Sequence, residues 1–230
     1  MRTVFEQSWK LLTEDECQVF KKLSVFRGGF QREAAEQVAG ATLPVLSMLV
    51  DKSLVHSEAG GRFQIHELLR QYAAEQLSAS QGVETQVFDL HCDYFADFLY
   101  RRNDDLVGTR QGNAIPEITA DLDNIRAMWR YATEQVRLDA FEKVATAYPQ
   151  YCDIQGHYQE AVQALLKAST SLGKLTNLQA RRTLAIFDVW LGWHYLRFGQ
   201  YDDSQAAFNR SQAFYEEMDL SPPPASGPTH

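Results

Sequence analysis

A chain of 230 residues is long enough to bury a core of its own, as one large domain or two small ones. Its 45% hydrophobic and 23% charged residues are ordinary for a globular protein, and no run approaches the roughly 18 apolar residues of a membrane span. With 30 acidic against 22 basic side chains the formal net charge is −8, which argues against a strong grip on nucleic acid, where affinity comes mainly from neutralising phosphates.

The deficit is uneven: residues 1–80 carry 9 Lys/Arg against 10 Asp/Glu, and residues 81–230 carry 13 against 20. Cys17, Cys92 and Cys152 stand alone, without C-x-x-C spacing, which fits a reduced cytosol better than secretion. Met1 to Lys10 holds no apolar run fit for a signal peptide, so a cytoplasmic location is expected. The opening Met1–Trp9, with no strand or glycine-rich turn before it, reads like the interior of a longer protein.

In chain order, Thr13-Glu14-Asp15-Glu16 forms a capping box, and the helix it starts carries Phe20 and Leu23 as far as the break at Gly28-Gly29. A second helix is expected from Arg32 to Ala39, ending at Gly40. A third has Pro44 in its first turn and buries Val45, Leu46, Leu49 and Val50. Leu54-Val55-His56 and Phe63-Gln64-Ile65 flank Glu58-Ala59-Gly60-Gly61 as a β-hairpin. Three helices and then a hairpin is the order of a winged helix. A further helix begins near His66 and carries Leu68, Leu69, Tyr72, Ala73 and Leu77, and Ser78–Gly82 is the expected domain boundary.

Beyond it the pattern is helical. Phe88, His91, Cys92, Phe95 and Leu99 mark one face, and Ile118, Leu122, Ile125, Met128 and Trp129 mark another. Asn103–Pro116, with Gly108, Gly112 and Pro116, reads as a loop between them. The expected organisation is a mainly α fold: a winged helix over 1–80, tetratricopeptide-like helical hairpins over 83–218, and a disordered tail over 219–230.

The hairpins rest on a degenerate repeat. Gly156-His157-Tyr158 recurs as Gly199-Gln200-Tyr201, a small residue follows each tyrosine at three (Ala161, Ser204), and a large apolar one follows four later (Leu165, Phe208). Leu191-Gly192 and Tyr195 match the L-G-x-x-Y spacing of tetratricopeptide motifs. The copies lie 43 residues apart, which calls for longer helices than the plain motif. Such hairpins stack into a surface that holds a peptide or a neighbouring domain, and by register Gln150, Asp153, Trp193 and Arg197 would line it. Trp193 could equally be core between hairpins.

Chemistry-bearing motifs are scarce. Neither G-x-x-x-x-G-K-[ST] nor G-x-G-x-x-G occurs, so the chain has no phosphate cradle of its own. Arg70 stands where H-E-x-x-H would need its second histidine, and His91-Cys92-Asp93 are helix neighbours that point apart. No catalytic residue, metal site or resident cofactor is expected. A DNA-binding winged helix is the alternative role, but the helix before the wing, Leu43–Lys52, offers one lysine and one aspartate at its end.

Leu23–Phe30, Leu49–Leu54 and Phe63–Ala73 resemble the winged-helix segment of bacterial STAND-class (NB-ARC-like) signalling ATPases and transcriptional regulators, which carry a nucleotide-binding domain upstream and helical repeats downstream. Leu122-Asp123-Asn124-Ile125-Arg126-Ala127-Met128-Trp129 resembles the D-N-L-R-A helix that opens their repeat region. Ile65-His66-Glu67 is similar to the M-H-D motif of related apoptotic and plant-immunity ATPases, whose histidine contacts the β-phosphate of ADP in the resting state. The resemblance implies that His66 is an ADP sensor in a longer parent that binds ADP or ATP. It also implies an upstream nucleotide-binding domain and an unknown protein or peptide at the repeat surface as partners. With no phosphate loop here, any ATPase activity would belong to that upstream domain, and His66 read by itself is the residue that starts a helix.

Overall fold

The computed structural model describes Trp9 and residues 11–58, 60–80 and 82–219. Among these residues twelve α-helices and a short 3-10 turn accompany one three-stranded antiparallel sheet, a mainly α fold. The chain divides into two compact units, Met1–Phe95 with Ala120–Ala127, and Ala96–Thr119 with Met128–His230.

In the first unit, α1 (Glu14–Leu23) starts at the expected capping box: Glu16 N–H donates to Thr13 Oγ1 at 3.3 Å, and Thr13 N–H donates to the Glu16 carboxylate at 2.7 Å. Lys52 ion-pairs with the same carboxylate at 2.6 Å and tethers this cap to the residue that ends α3. Gly28 and Gly29, with φ of 69° and 90°, turn the chain out of α1 in a conformation that disfavours any other residue. A two-residue strand follows, β1 (Phe30–Gln31), too short to show in the sequence as a period-2 pattern.

Next come α2 (Arg32–Ala39), closed by Gly40 at φ 69°, and α3 (Leu43–Asp51), with Pro44 in its first turn. The hairpin is β2 (His56–Ser57) with β3 (Arg62–Gln64). Strand order is β1-β3-β2, with Phe30 opposite Phe63. The expected order is three helices and then a hairpin; the structure has those elements in that order and adds β1 between the first helix and the second. On α3 only Leu46 and Leu49 are buried; Val45 and Val50 are half-buried, and Leu43 and Met48 are exposed.

Helix α4 (Glu67–Ser78) packs Leu69, Ala73 and Leu77 inward and lies against α1. Helix α4 ends at Ser78 and α5 (Val83–Tyr100) begins at Val83; the first compact unit continues into α5 as far as Phe95 and takes in the start of α7 (Leu122–Gln135).

In the second unit, the stretch expected to be loop contains a 3-10 turn (Asp104–Leu106) and α6 (Gln111–Ala120). Pro116 sits inside α6, where it removes one backbone bond; the buried pair Ala114 and Ile118, four apart on one face, offsets that loss. The apolar stripe from Ile118 to Trp129 belongs to two helices, α6 and α7, separated by Asp121.

Helices α8 (Leu138–Val144), α9 (Ala147–Gln155), α10 (Tyr158–Leu172), α11 (Leu178–Arg197) and α12 (Tyr201–Glu217) complete the unit. Gly156 (φ 73°) and Gly199 (φ 70°) end α9 and α11, so both copies of the glycine–tyrosine repeat mark the turn of a helical hairpin. The core is aromatic: Trp129 lies 5.0 Å from Phe141, 4.7 Å from Tyr148 and 5.7 Å from Phe187 between ring centres. Residue 219 is a turn. The rest of the expected disordered tail, with Met1–Ser8, lies outside the described residues. No helix among the described residues is long and apolar enough to cross a membrane.

Candidate functional site

His66 is the N-cap of α4. Its Nδ1 accepts a hydrogen bond from Leu68 N–H at 3.3 Å, and the residue is exposed. With Nδ1 accepting, Nε2 is the ring nitrogen that can donate to a ligand. The ring borders a pocket of about 380 Å³ lined by Gly28, Gly29, Gln64, Glu67 and Arg70, among others. Arg70 donates to the Glu67 carboxylate at 2.8 and 2.7 Å and holds its pKa down at about 2. Arg70 is therefore already paired. An anion entering this pocket would meet His66 and the glycine backbone, with the Arg70 guanidinium already engaged by Glu67.

Beneath the glycine turn lies a polar node that the sequence pattern did not reveal. Asn124, fully buried, accepts from Arg27 N–H at 2.6 Å and donates to the Gly29 carbonyl at 2.8 Å and to Asp121 at 3.1 Å. Its oxygen also faces His91 Nε2 at 3.5 Å. Burial pushes the His91 pKa down to about 4, so the ring is neutral at pH 7. Arg62, at the start of β3, grips Asp121 through both guanidinium nitrogens at 2.9 and 3.2 Å. One amide thus fixes the Gly28-Gly29 turn that floors the His66 pocket. The signal was present as Asp121 and Asn124, two polar residues set within an otherwise apolar stripe.

In the second unit the four residues assigned to a partner surface have different fates. Arg197 and Asp153 form an ion pair at 3.2 Å, with Asp153 buried. Gln150 is buried on α9, 7% exposed, so little of it is open to a partner. Trp193 is half-buried, with Phe208 of α12 edge-on at 6.1 Å. The structure brings Asp153 and Arg197 together and sets Trp193 against the hairpin. Among the described residues no group of three or more His, Cys, Asp or Glu side chains could hold a metal ion.

No protein-family model matches the chain. A Mycobacterium bovis protein named as an HTH-type transcriptional regulator is 28% identical over 172 residues, which cover 70% of this chain and 19% of that protein. Proteins of the same description from two strains of Mycobacterium tuberculosis match to the same extent. The chain therefore spans about a fifth of the length of these relatives. Among solved structures, a signal transduction ATPase with numerous domains (STAND) and a tetratricopeptide repeat sensor, from Pyrococcus horikoshii, is similar over 94% of this chain and 34% of its own. That likeness has 15% sequence identity and a TM-score of 0.44.

Proposed function

We propose that this chain is a non-catalytic regulatory module of a longer STAND-type signalling ATPase or transcriptional regulator. In this reading it relays the nucleotide state of an upstream domain to a partner-binding surface on the helical hairpins. The observation that carries the reading is the placement of His66: an exposed N-cap histidine at a pocket lined by a glycine turn that the Asn124 node holds in shape. A histidine donor at this place suits a phosphate supplied by a neighbouring domain, where the main phosphate grip lies elsewhere. The regulator names of relatives about four times as long support the same reading. Helix α3 supports it too, since it exposes Leu43 and Met48 where a DNA reader needs donors and acceptors.

The test is calorimetric ADP binding to the protein extended upstream to include a nucleotide-binding domain, with and without His66→Ala. Tight ADP binding that weakens on substitution is the expected result. Unchanged affinity, with only the loss of about 1 kcal/mol of stability that removing an N-cap brings, would reduce His66 to a helix-start residue.

A further inference from the structure

The pocket beside His66 is also lined by Arg70, of whose side chain only 14% is exposed. Its Nη1 donates to the Ser24 carbonyl, just past the end of α1, at 3.1 Å. Arg27 Nη1 donates to the same carbonyl at 2.8 Å. Two guanidinium groups therefore meet one neutral oxygen, a concentration of positive charge that attracts an anion. The carboxylate that answers it is Glu67, one turn earlier on α4, which accepts from Arg70 Nε and Nη2 at 2.8 and 2.7 Å.

The two members of this pair are held differently. Nη1 ties Arg70 to a carbonyl 46 residues away in sequence, so its donor fork stays in place whatever Nε and Nη2 bind. Glu67 has 59% of its side chain exposed, and its further contact is local, a hydrogen bond from Gln71 Nε2 at 2.9 Å. Hydrogen bonding by Arg70 holds the Glu67 pKa down at about 2, so the carboxylate is ionised at pH 7. Water nonetheless screens an ion pair this exposed, and opening it costs little.

A carboxylate and a phosphate suit the same planar fork. Phosphate brings more charge and three acceptor oxygens, where Glu67 brings two. If the Glu67 side chain turns into water, the parallel Nε–H and Nη2–H donors of Arg70 are left for the incoming group. Among the described residues Glu67 is the one carboxylate in the lining; Asp123, beside Gly28, lies outside it and is paired with Arg126 at 3.0 Å.

We infer that Arg70 is a phosphate-binding residue of this pocket and that Glu67 is its internal competitor, displaced by the phosphate end of a nucleoside diphosphate. The inference rests on the His66 reading for the nature of the ligand, and adds to it the cation and the carboxylate that regulates it.

The test is a titration of the 230-residue chain with pyrophosphate at constant ionic strength, followed by NMR of the Arg70 Nε–H and the Gly28 and Gly29 amide signals. Saturable binding is expected, tightened about threefold to fivefold by Glu67→Gln and weakened about tenfold by Arg70→Lys, which keeps the charge and loses the fork. In the Arg70→Lys background Glu67→Gln should gain less than about twofold. An equal gain in both backgrounds would mean plain charge repulsion and overturn the displacement. Unchanged affinity in Arg70→Lys, or no saturable shift in either the wild type or Glu67→Gln, would overturn the assignment of Arg70. His66→Ala separates the two readings. Binding that needs His66 but ignores Arg70→Lys and Glu67→Gln keeps the His66 reading and sinks this one, and the reverse pattern keeps Arg70 and sinks His66. Orthophosphate binding as tightly as pyrophosphate would assign the site to free phosphate and overturn the nucleotide source.

Discussion

Replacing Gly192 by alanine pits two effects of opposite sign against each other. In an ordinary helix interior the change stabilises by about 1 kcal/mol, because alanine is the better helix former. Here the added methyl would stand 2.7 Å from Cε1 and Cζ of Phe208 and 2.9 Å from Cδ1. Favourable carbon contacts lie near ~3.5–4.0 Å, so the ring must move by about an ångström. It is not free to do so, since the Trp193 ring lies edge-on to it at 6.1 Å and Ser204 Oγ ties α12 to the Gly192 carbonyl at 2.9 Å. Overpacking of this kind costs about 1–3 kcal/mol, so the net effect is a loss of roughly 1 kcal/mol. Removing the ring removes the clash: in a Phe208→Ala background the same substitution should stabilise by about 1 kcal/mol. Urea unfolding of the four proteins, with m-values compared to confirm a common transition, reads the sign directly. If Gly192→Ala stabilises in both backgrounds, the close approach of α11 and α12 at this glycine is wrong.

Asn124→Ala would remove the amide that bridges Arg27 N–H and the Gly29 carbonyl, both part-buried, and should destabilise by roughly 1–3 kcal/mol, measured by the same unfolding assay; a loss below about 0.5 kcal/mol would show that the node does not hold the glycine turn. Acid sensitivity follows from His91 and His194, whose pKa values burial lowers to about 4 from an unfolded value of 6.5. The unfolded chain takes up these protons first, so stability is full above about pH 6.5 and falls between there and pH 4, by up to about 3 kcal/mol per histidine. His194, with neither ring nitrogen hydrogen-bonded among the described residues, is the cleaner probe. His194→Phe should be neutral or stabilising at pH 7 and should flatten the acid slope; a slope identical to wild type would rule out its part in it.

The local elements were legible because short-range chemistry writes them. Thr13 and Glu16 specified a capping box that the structure forms atom for atom, Gly40 and Pro44 bounded their helices, and Gly156 and Gly199 marked where two hairpins turn. Each depends only on residues within a few positions of itself. The L-G-x-x-Y spacing put Gly192 in the motif, and the structure fills the space of its missing side chain with Phe208.

What the tertiary structure decided is everything that joins distant positions. The helix containing Pro116 forms because Ala114 and Ile118 find a core, not because its sequence favours it. Gln150 is buried although its repeat register suggested a binding face, and Arg197 is paired with Asp153 from another helix. The Asn124 node closes contacts 95 and 97 residues apart in sequence, and Arg70 reaches the Ser24 carbonyl from 46 residues away. A buried amide needs its partners wherever the chain brings them, and no local pattern records which ones those will be.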